Sequence, residues 1–180
     1  KTTAFVRLFE PYGRQVADRV RLHHEANGGM SRFDKIPIYL RWGGEEPTPE
    51  KVQEYCDKFS NLVLQSVIDA PWVPGVEEYL RNNSRQQIFV LVSATPQEEI
   101  EHILQALHLR GAFASVFGAP VSKKEAIHTA LKHYNVSARE CLMIGDALAD
   151  LEAAQDNQVP FLLRRHSTNN KVFEQYTGNS

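Results

Sequence analysis

Residues 141–154, CLMIGDALADLEAA, bring a glycine and two carboxylates to the point where an apolar run gives way to a helical pattern. Read as a strand and then a helix, the stretch delivers Gly145 and Asp146 at the strand's carboxyl end and Asp150 at the helix start. Open α/β sheets bind ligands outside that end of their strands. A carboxylate pair there suits a hard cation such as Mg²⁺, which takes a few carboxylates and completes its shell with water and phosphate oxygen. The alternative is that the aspartates only cap the helix. Ser93 ends a second apolar run, IFVLVS, and Pro96 opens a helical pattern just after it. A hydroxyl beside the free amides of a helix start makes an anion site, unless the serine serves as a cap alone. Lys123 opens a third helical pattern, after GAPVS, where the helix dipole disfavours a cation. It is misplaced for helix stability and well placed to neutralise a phosphate, whereas Lys124 reads as an ordinary solvated charge. A Ser, a Lys and paired Asp at successive strand ends predict one shared site on one edge of one sheet.

Two kinds of element must position these groups. The first seventy residues read as helices: Val52, Tyr55, Cys56, Phe59, Leu62, Val63 and Val67 recur at helical spacing behind a Thr48–Pro49 start signal. Before them, ANGGMSRFDK has the glycine pair and polar mix of an ordered loop. After Pro71 the pattern changes. PWVPGVEEYLRNN leads into a short helix, and 88–93 reads as a buried strand. A helix follows with Ile100, Ile103, Leu104 and Leu107 on one face, Thr95 and Glu98 at capping-box spacing, and Gly111 as its stop. Then come a strand at ASVFGA, a helix from Lys123 to His133, a strand at CLMIGD, a helix at DLEAAQ and a strand at PFLLR. Strands alternating with helices predict a parallel α/β sheet. The closing NNKVFEQYTGNS reads as a loosely held tail.

The 180 residues suffice for one sizeable domain or a core with a small appended one. With 42% apolar and 23% charged residues the composition is that of a soluble globular chain, and the net charge of -2 offers no field for nucleic acid or a membrane surface. No apolar run is long enough to span a bilayer. Cys56 and Cys141 read as buried free thiols, in keeping with a cytoplasmic location. His23 and His24 are adjacent, so on a helix they diverge by about 100° and cannot chelate one ion. Trp42 and Trp72 are expected to pack between the two parts of the chain.

In these motifs the chain resembles the haloacid dehalogenase superfamily of phosphatases, in particular members with a helical cap. VSATP is similar to that family's second motif, GAPVSKKEA to its third and IGDALAD to its fourth. The resemblance implies a Rossmann-like parallel sheet core over residues 71–180 and an α-helical cap over residues 1–70. It assigns Ser93, the Ala94 amide and Lys123 to the transferring phosphoryl group, Asp146 to Mg²⁺, and Asp150 to the metal side or a water-mediated contact. NGGMSRFDK is similar to the cap loop of sugar-phosphate members, including β-phosphoglucomutase-like proteins, which implies substrate contacts from Arg32, Lys35 and Ser31. The implied activity is hydrolysis of a small phosphorylated metabolite through an aspartyl-phosphate, by a monomer. The alternatives are a sugar-phosphate mutase and a non-catalytic phosphate-binding relative. The family's first motif, a strand ending in Asp-x-Asp-Gly that carries the nucleophile, does not occur in these residues. The expectation is that it lies upstream of Lys1, that this chain alone is inactive, and that a gap separates the IFVLVS and CLMIGD strands.

Overall fold

The computed structural model describes residues 1–180. Four helices form the first part: α1 (Thr2–Phe9), α2 (Arg14–Ala26), α3 (Arg32–Trp42) and α4 (Pro49–Ile68). The α4 start is as the sequence implies, with Thr48 Oγ1 accepting from the Lys51 amide at 3.3 Å. The apolar faces of these helices meet in a cluster of Phe5, Phe9, Val20, Ile36, Tyr39, Leu40, Cys56, Phe59 and Val63. Burial pushes the Cys56 thiol up to about 11, so it is an inert core residue, and neither cysteine is in a disulfide.

One expectation fails here. Only Asn27–Ser31 of the supposed loop lies outside helices, because Ser31 accepts from the Phe33 amide at 3.2 Å and starts α3 at Arg32. The core-facing set Ile36, Tyr39 and Leu40 then follows at helical spacing.

The second part alternates helix and strand: α5 (Val76–Asn83), β1 (Val90–Pro96), α6 (Gln97–Ala106), β2 (Ser115–Ala119), α7 (Lys123–Tyr134), β3 (Met143–Gly145), α8 (Leu148–Asp156) and β4 (Phe161–Leu163). All strand pairing is parallel. β1 pairs with β2, Val92 opposite Phe117, and β3 with β4, Ile144 opposite Leu162. The two ribbons are not joined, so β1 and β3 each have one edge without a strand partner. Ile144, in the middle of β3, is 60% exposed, where a complete sheet would bury it.

Several local readings need correction. β1 runs on through Ser93 to Pro96, and α6 starts at Gln97 with no side-chain cap. Ser93 Oγ accepts from the Thr95 amide at 3.1 Å, which buries Thr95 with its hydroxyl toward Lys1 Nζ and leaves no capping box with Glu98. Helix α6 ends before Gly111. The chain turns at His108, whose φ is 53°, with the amides of His108 and Leu109 returning to the carbonyls of Gln105 and Leu104. This Schellman closure needs a left-handed residue, normally glycine; here it is stabilised by the buried Leu109 beyond it. Asn135 and Gln158 do the same after α7 and α8.

The tail is held. Phe173 is buried against Ala154, Phe161 and Leu163, and the Leu163 amide donates to Asn179 O at 3.0 Å. The tryptophans do not sit between the two parts. Trp42 packs on Tyr39 and His23 within the helices with the Arg19 guanidinium over its ring, and Trp72 is 37% exposed. Apolar contact between the parts comes from Leu64, Val67 and Ile68 at the end of α4, packed on Ile100, Ile103, Leu104 and Leu109. No helix is long and apolar enough to cross a membrane.

Candidate active site

A cleft of about 850 Å³ lies between the two ribbons and under the helices, and Ser93, Ala94, Lys123, Asp146 and Asp150 all line it. Residues from three separate strand ends are thereby brought together. Lys123 owes its position to a capping box. Ser122 Oγ accepts from the Glu125 amide and Glu125 accepts from the Ser122 amide, both at 3.2 Å, which fixes Lys123 as the first residue of α7.

Asp150 is fully committed within the protein. It is 5% exposed, pairs with the Lys123 ammonium, and accepts from the amides of Asp146 at 3.2 Å and Ala147 at 3.1 Å. Gly145 allows this closeness: a Cβ there would stand 2.4 Å from Asp150 Cβ. The carboxylate of Asp150, expected on the metal side or in a water-mediated contact, here holds Lys123 and the turn after β3.

Asp146 is the open carboxylate. Its side chain is 51% exposed, and Oδ2 lies 3.3 Å from His166 Nε2, whose Nδ1 is 2.8 Å from Thr168 Oγ1. Asn169 Nδ2 donates to the Asp146 carbonyl at 2.9 Å and so fixes the strand end. An oxygen donor at a strand end fits a hard cation that keeps most of its own water, so Asp146 suits Mg²⁺ as one ligand. No group of three or more His, Cys, Asp or Glu side chains forms a ready-made metal cage. His166, Thr168 and Asn169 went unnoticed in the sequence because they lie beyond the last strand, with no periodicity to mark them.

The loop after α2 closes the cleft from the helical side. Gly29 has φ 80°, and a Cβ on it would meet Ala147 Cβ at 2.8 Å and Lys123 Nζ at 3.4 Å. Glycine is thus required both by conformation and by the loop's approach to Lys123.

The three cap-loop candidates separate. Ser31 caps α3 and does not line the cleft. Arg32 lines it but is buried in a bidentate pair with Glu99 of α6, both N–O distances 2.8 Å, while Ser60 of α4 bridges the two. Burial alone would raise Glu99, yet the hydrogen bonds from Arg32 and Ser60 outweigh it and hold the carboxyl below its ordinary value. Arg32 therefore ties the helices to the α/β part, in place of the expected open substrate contact. Lys35, one turn further along α3, is 1% exposed, and its Nζ lies 3.0 Å from His24 Nδ1. Burial, and then the charge of Lys35, pushes His24 down to about 3, so its imidazole is neutral; burial lowers Lys35 to about 8. His23 bonds Tyr39 and takes no part in the cleft.

Comparison with known proteins was made against this geometry. The profile of the haloacid dehalogenase-like hydrolases matches residues 3–157. A phosphoglycolate phosphatase of Pectobacterium atrosepticum is 28% identical over 123 residues, 64% of this chain and 53% of that protein. The chain thus spans about half the length of this curated relative. Among solved structures, β-phosphoglucomutase of Clostridium difficile superposes with a TM-score of 0.67 at 22% identity, covering 93% of this chain and 81% of that one. A haloacid dehalogenase-like family protein of Streptococcus pneumoniae gives 0.62 at 15% identity, covering 89% and 74%. At such identities the likeness is one of fold.

Proposed function

The chain belongs to the haloacid dehalogenase-like hydrolases, and from that premise we propose that it is part of a Mg²⁺-dependent phosphatase acting on a small phosphorylated metabolite, sugar phosphate or phosphoglycolate-like. The phosphoglycolate phosphatase named above supports the substrate class. Residues 1–70 are the cap and residues 71–180 the core. The observation that carries the reading is the convergence of Ser93, Lys123 and Asp146 on one cleft roofed by the Gly28–Gly29 loop. A cationic, partly enclosed site is what phosphoryl transfer requires, since its catalysis is largely positioning and charge neutralisation.

In this mechanism the ester P–O bond breaks as the phosphoryl group passes to an aspartate carboxylate, and water then cleaves the acyl phosphate. The nucleophile is assigned to an Asp-x-Asp-Gly strand upstream of Lys1. The free edges of β1 and β3, which flank the cleft, support that assignment. Lys123, held by Asp150, neutralises the transferring oxygens. The Ser93 hydroxyl and the Ala94 amide complete the cradle. When bound, Mg²⁺ would supply further charge neutralisation from the Asp146 side, and His166 orients that carboxylate.

The test uses the chain extended upstream through the first motif, assayed on a panel of phosphorylated metabolites with and without Mg²⁺. Hydrolysis should require the cation and should vanish in Asp146→Ala. Equal turnover by Asp146→Ala and the parent would refute this site.

A further inference from the structure

The ends of β3 and β4 bring a carboxylate and an imidazole together in the cleft. The two strands pair with Gly145 opposite Leu163, and the Arg164 amide donates to the Gly145 carbonyl at 2.8 Å. The residues just beyond each strand therefore lie side by side, and Oδ2 of Asp146 stands 3.3 Å from Nε2 of His166. One buried side chain fixes both backbones. Asn169 Oδ1 accepts from the His166 amide at 2.9 Å, while its Nδ2 donates to the carbonyls of Asp146 at 2.9 Å and Arg164 at 3.0 Å. The ring is held as well, with Nδ1 2.8 Å from Thr168 Oγ1. When Nδ1 donates to that hydroxyl, Nε2 presents its lone pair beside the carboxylate, as in a metal-binding histidine whose other nitrogen is fixed by a partner.

We propose that His166 is a second protein ligand at the Asp146 metal site, and that the pair selects a borderline divalent ion such as Fe²⁺, Co²⁺ or Zn²⁺ over Mg²⁺. This rests on the reading of Asp146 as a metal carboxylate. Atoms 3.3 Å apart can share one ion, since metal–nitrogen and metal–oxygen bonds of about 2.1 Å each span up to about 4.2 Å. Mg²⁺ takes oxygen donors, so toward it His166 only orients the carboxylate; imidazole suits the softer first-row ions. A half-exposed ion pair contributes little to stability and has no need of a ring steadied by Thr168 and Asn169, whereas a ligand does. The pair belongs wholly to the β3–β4 ribbon, so carboxylates of the Asp-x-Asp-Gly strand would add oxygen donors to the same ion.

Co²⁺ and Mg²⁺ make the test, each titrated calorimetrically at pH 7 into the chain extended upstream through the first motif. The parent should bind Co²⁺ the more tightly, by roughly tenfold or more. His166→Gln should lose roughly tenfold or more of the Co²⁺ affinity and keep that for Mg²⁺ within about threefold, because the amide can still hold Asp146 but offers no imidazole nitrogen. His166→Ala repeats the Co²⁺ loss, with thermal melting verifying that each variant is folded. In the Co²⁺ form, proton NMR should show a strongly shifted, exchangeable ring N–H that is absent from His166→Gln and from Asp146→Ala. A parent without preference, equal losses for both ions in His166→Gln, or a shifted N–H that survives there overturns the ligand assignment and leaves the phosphatase reading standing. Mg²⁺ binding undiminished in Asp146→Ala overturns the metal role of Asp146, and this assignment with it.

Discussion

Lys35 and Lys123 face one cleft from opposite sides and are secured by opposite means. Lys123, at the start of α7, is held by a buried carboxylate that is itself anchored on two backbone amides. Its charge is compensated within the protein, and its position is determined by the α/β core. Lys35, one turn into α3, leans on a neutral imidazole and pairs with no carboxylate of these 180 residues. Arg32, one turn earlier on the same helix, shows the contrasting solution, since Glu99 neutralises it and converts it into a tie between the two parts. The comparison separates cations paired with a carboxylate from one that meets a neutral ring. Burial alone does not distinguish them; the charge of the nearest partner does.

The difference is open to direct attack. The largest effect should come from Asp150→Ala, which strands the Lys123 ammonium and two amides; a loss of about 3–5 kcal/mol in urea unfolding is expected. A shift of less than about 1 kcal/mol would mean that Asp150 does not anchor the site. Next, Arg32→Met leaves Glu99 buried alone and should cost about 3 kcal/mol, whereas adding Glu99→Met should restore most of the loss. Strictly additive losses in that cycle would show that the pair is not coupled.

The smallest effect has the opposite sign. Lys35→Met should stabilise the protein at pH 7, by about 2 kcal/mol, because it removes a desolvated charge. Burial lowers the folded Lys35 to about 8, below its ordinary value of 10.5. Between those values the unfolded chain binds more protons, so wild-type stability climbs with pH, and the advantage of Lys35→Met fades from about pH 8 and is gone above pH 10.5. Melting curves from pH 7 to 11 would check this; a destabilised variant at pH 7 would show that Lys35 is compensated after all.

Periodicity and spacing go far with this chain. Alternating apolar and helical patterns after Pro71 were enough for the parallel α/β core, and the helical spacing from Val52 to Val67 was enough for α4, because both patterns reflect which face is buried. The Ser, Lys and Asp at strand ends could be picked out because that end of a parallel sheet is where ligands bind. Helix ends were less legible. His108 turns the chain where Gly111 was expected to stop α6, and Asn135 and Gln158 turn it after α7 and α8; burial of Leu109 and Val159 offsets the left-handed conformation at the first and last.

What the sequence determined by itself was which elements form and which side chains stand at their ends, for these follow from local backbone preference and the face each residue buries. Only the tertiary structure decided their duties: Asp150 holds Lys123, Arg32 is spent on Glu99, and Lys35 meets the His24 ring. Those outcomes depend on partners 27 and 67 residues away along the chain for the two ion pairs and 11 residues away for Lys35. Electrostatic pairing acts through space over a few ångströms, so no pattern of neighbours along the chain records it.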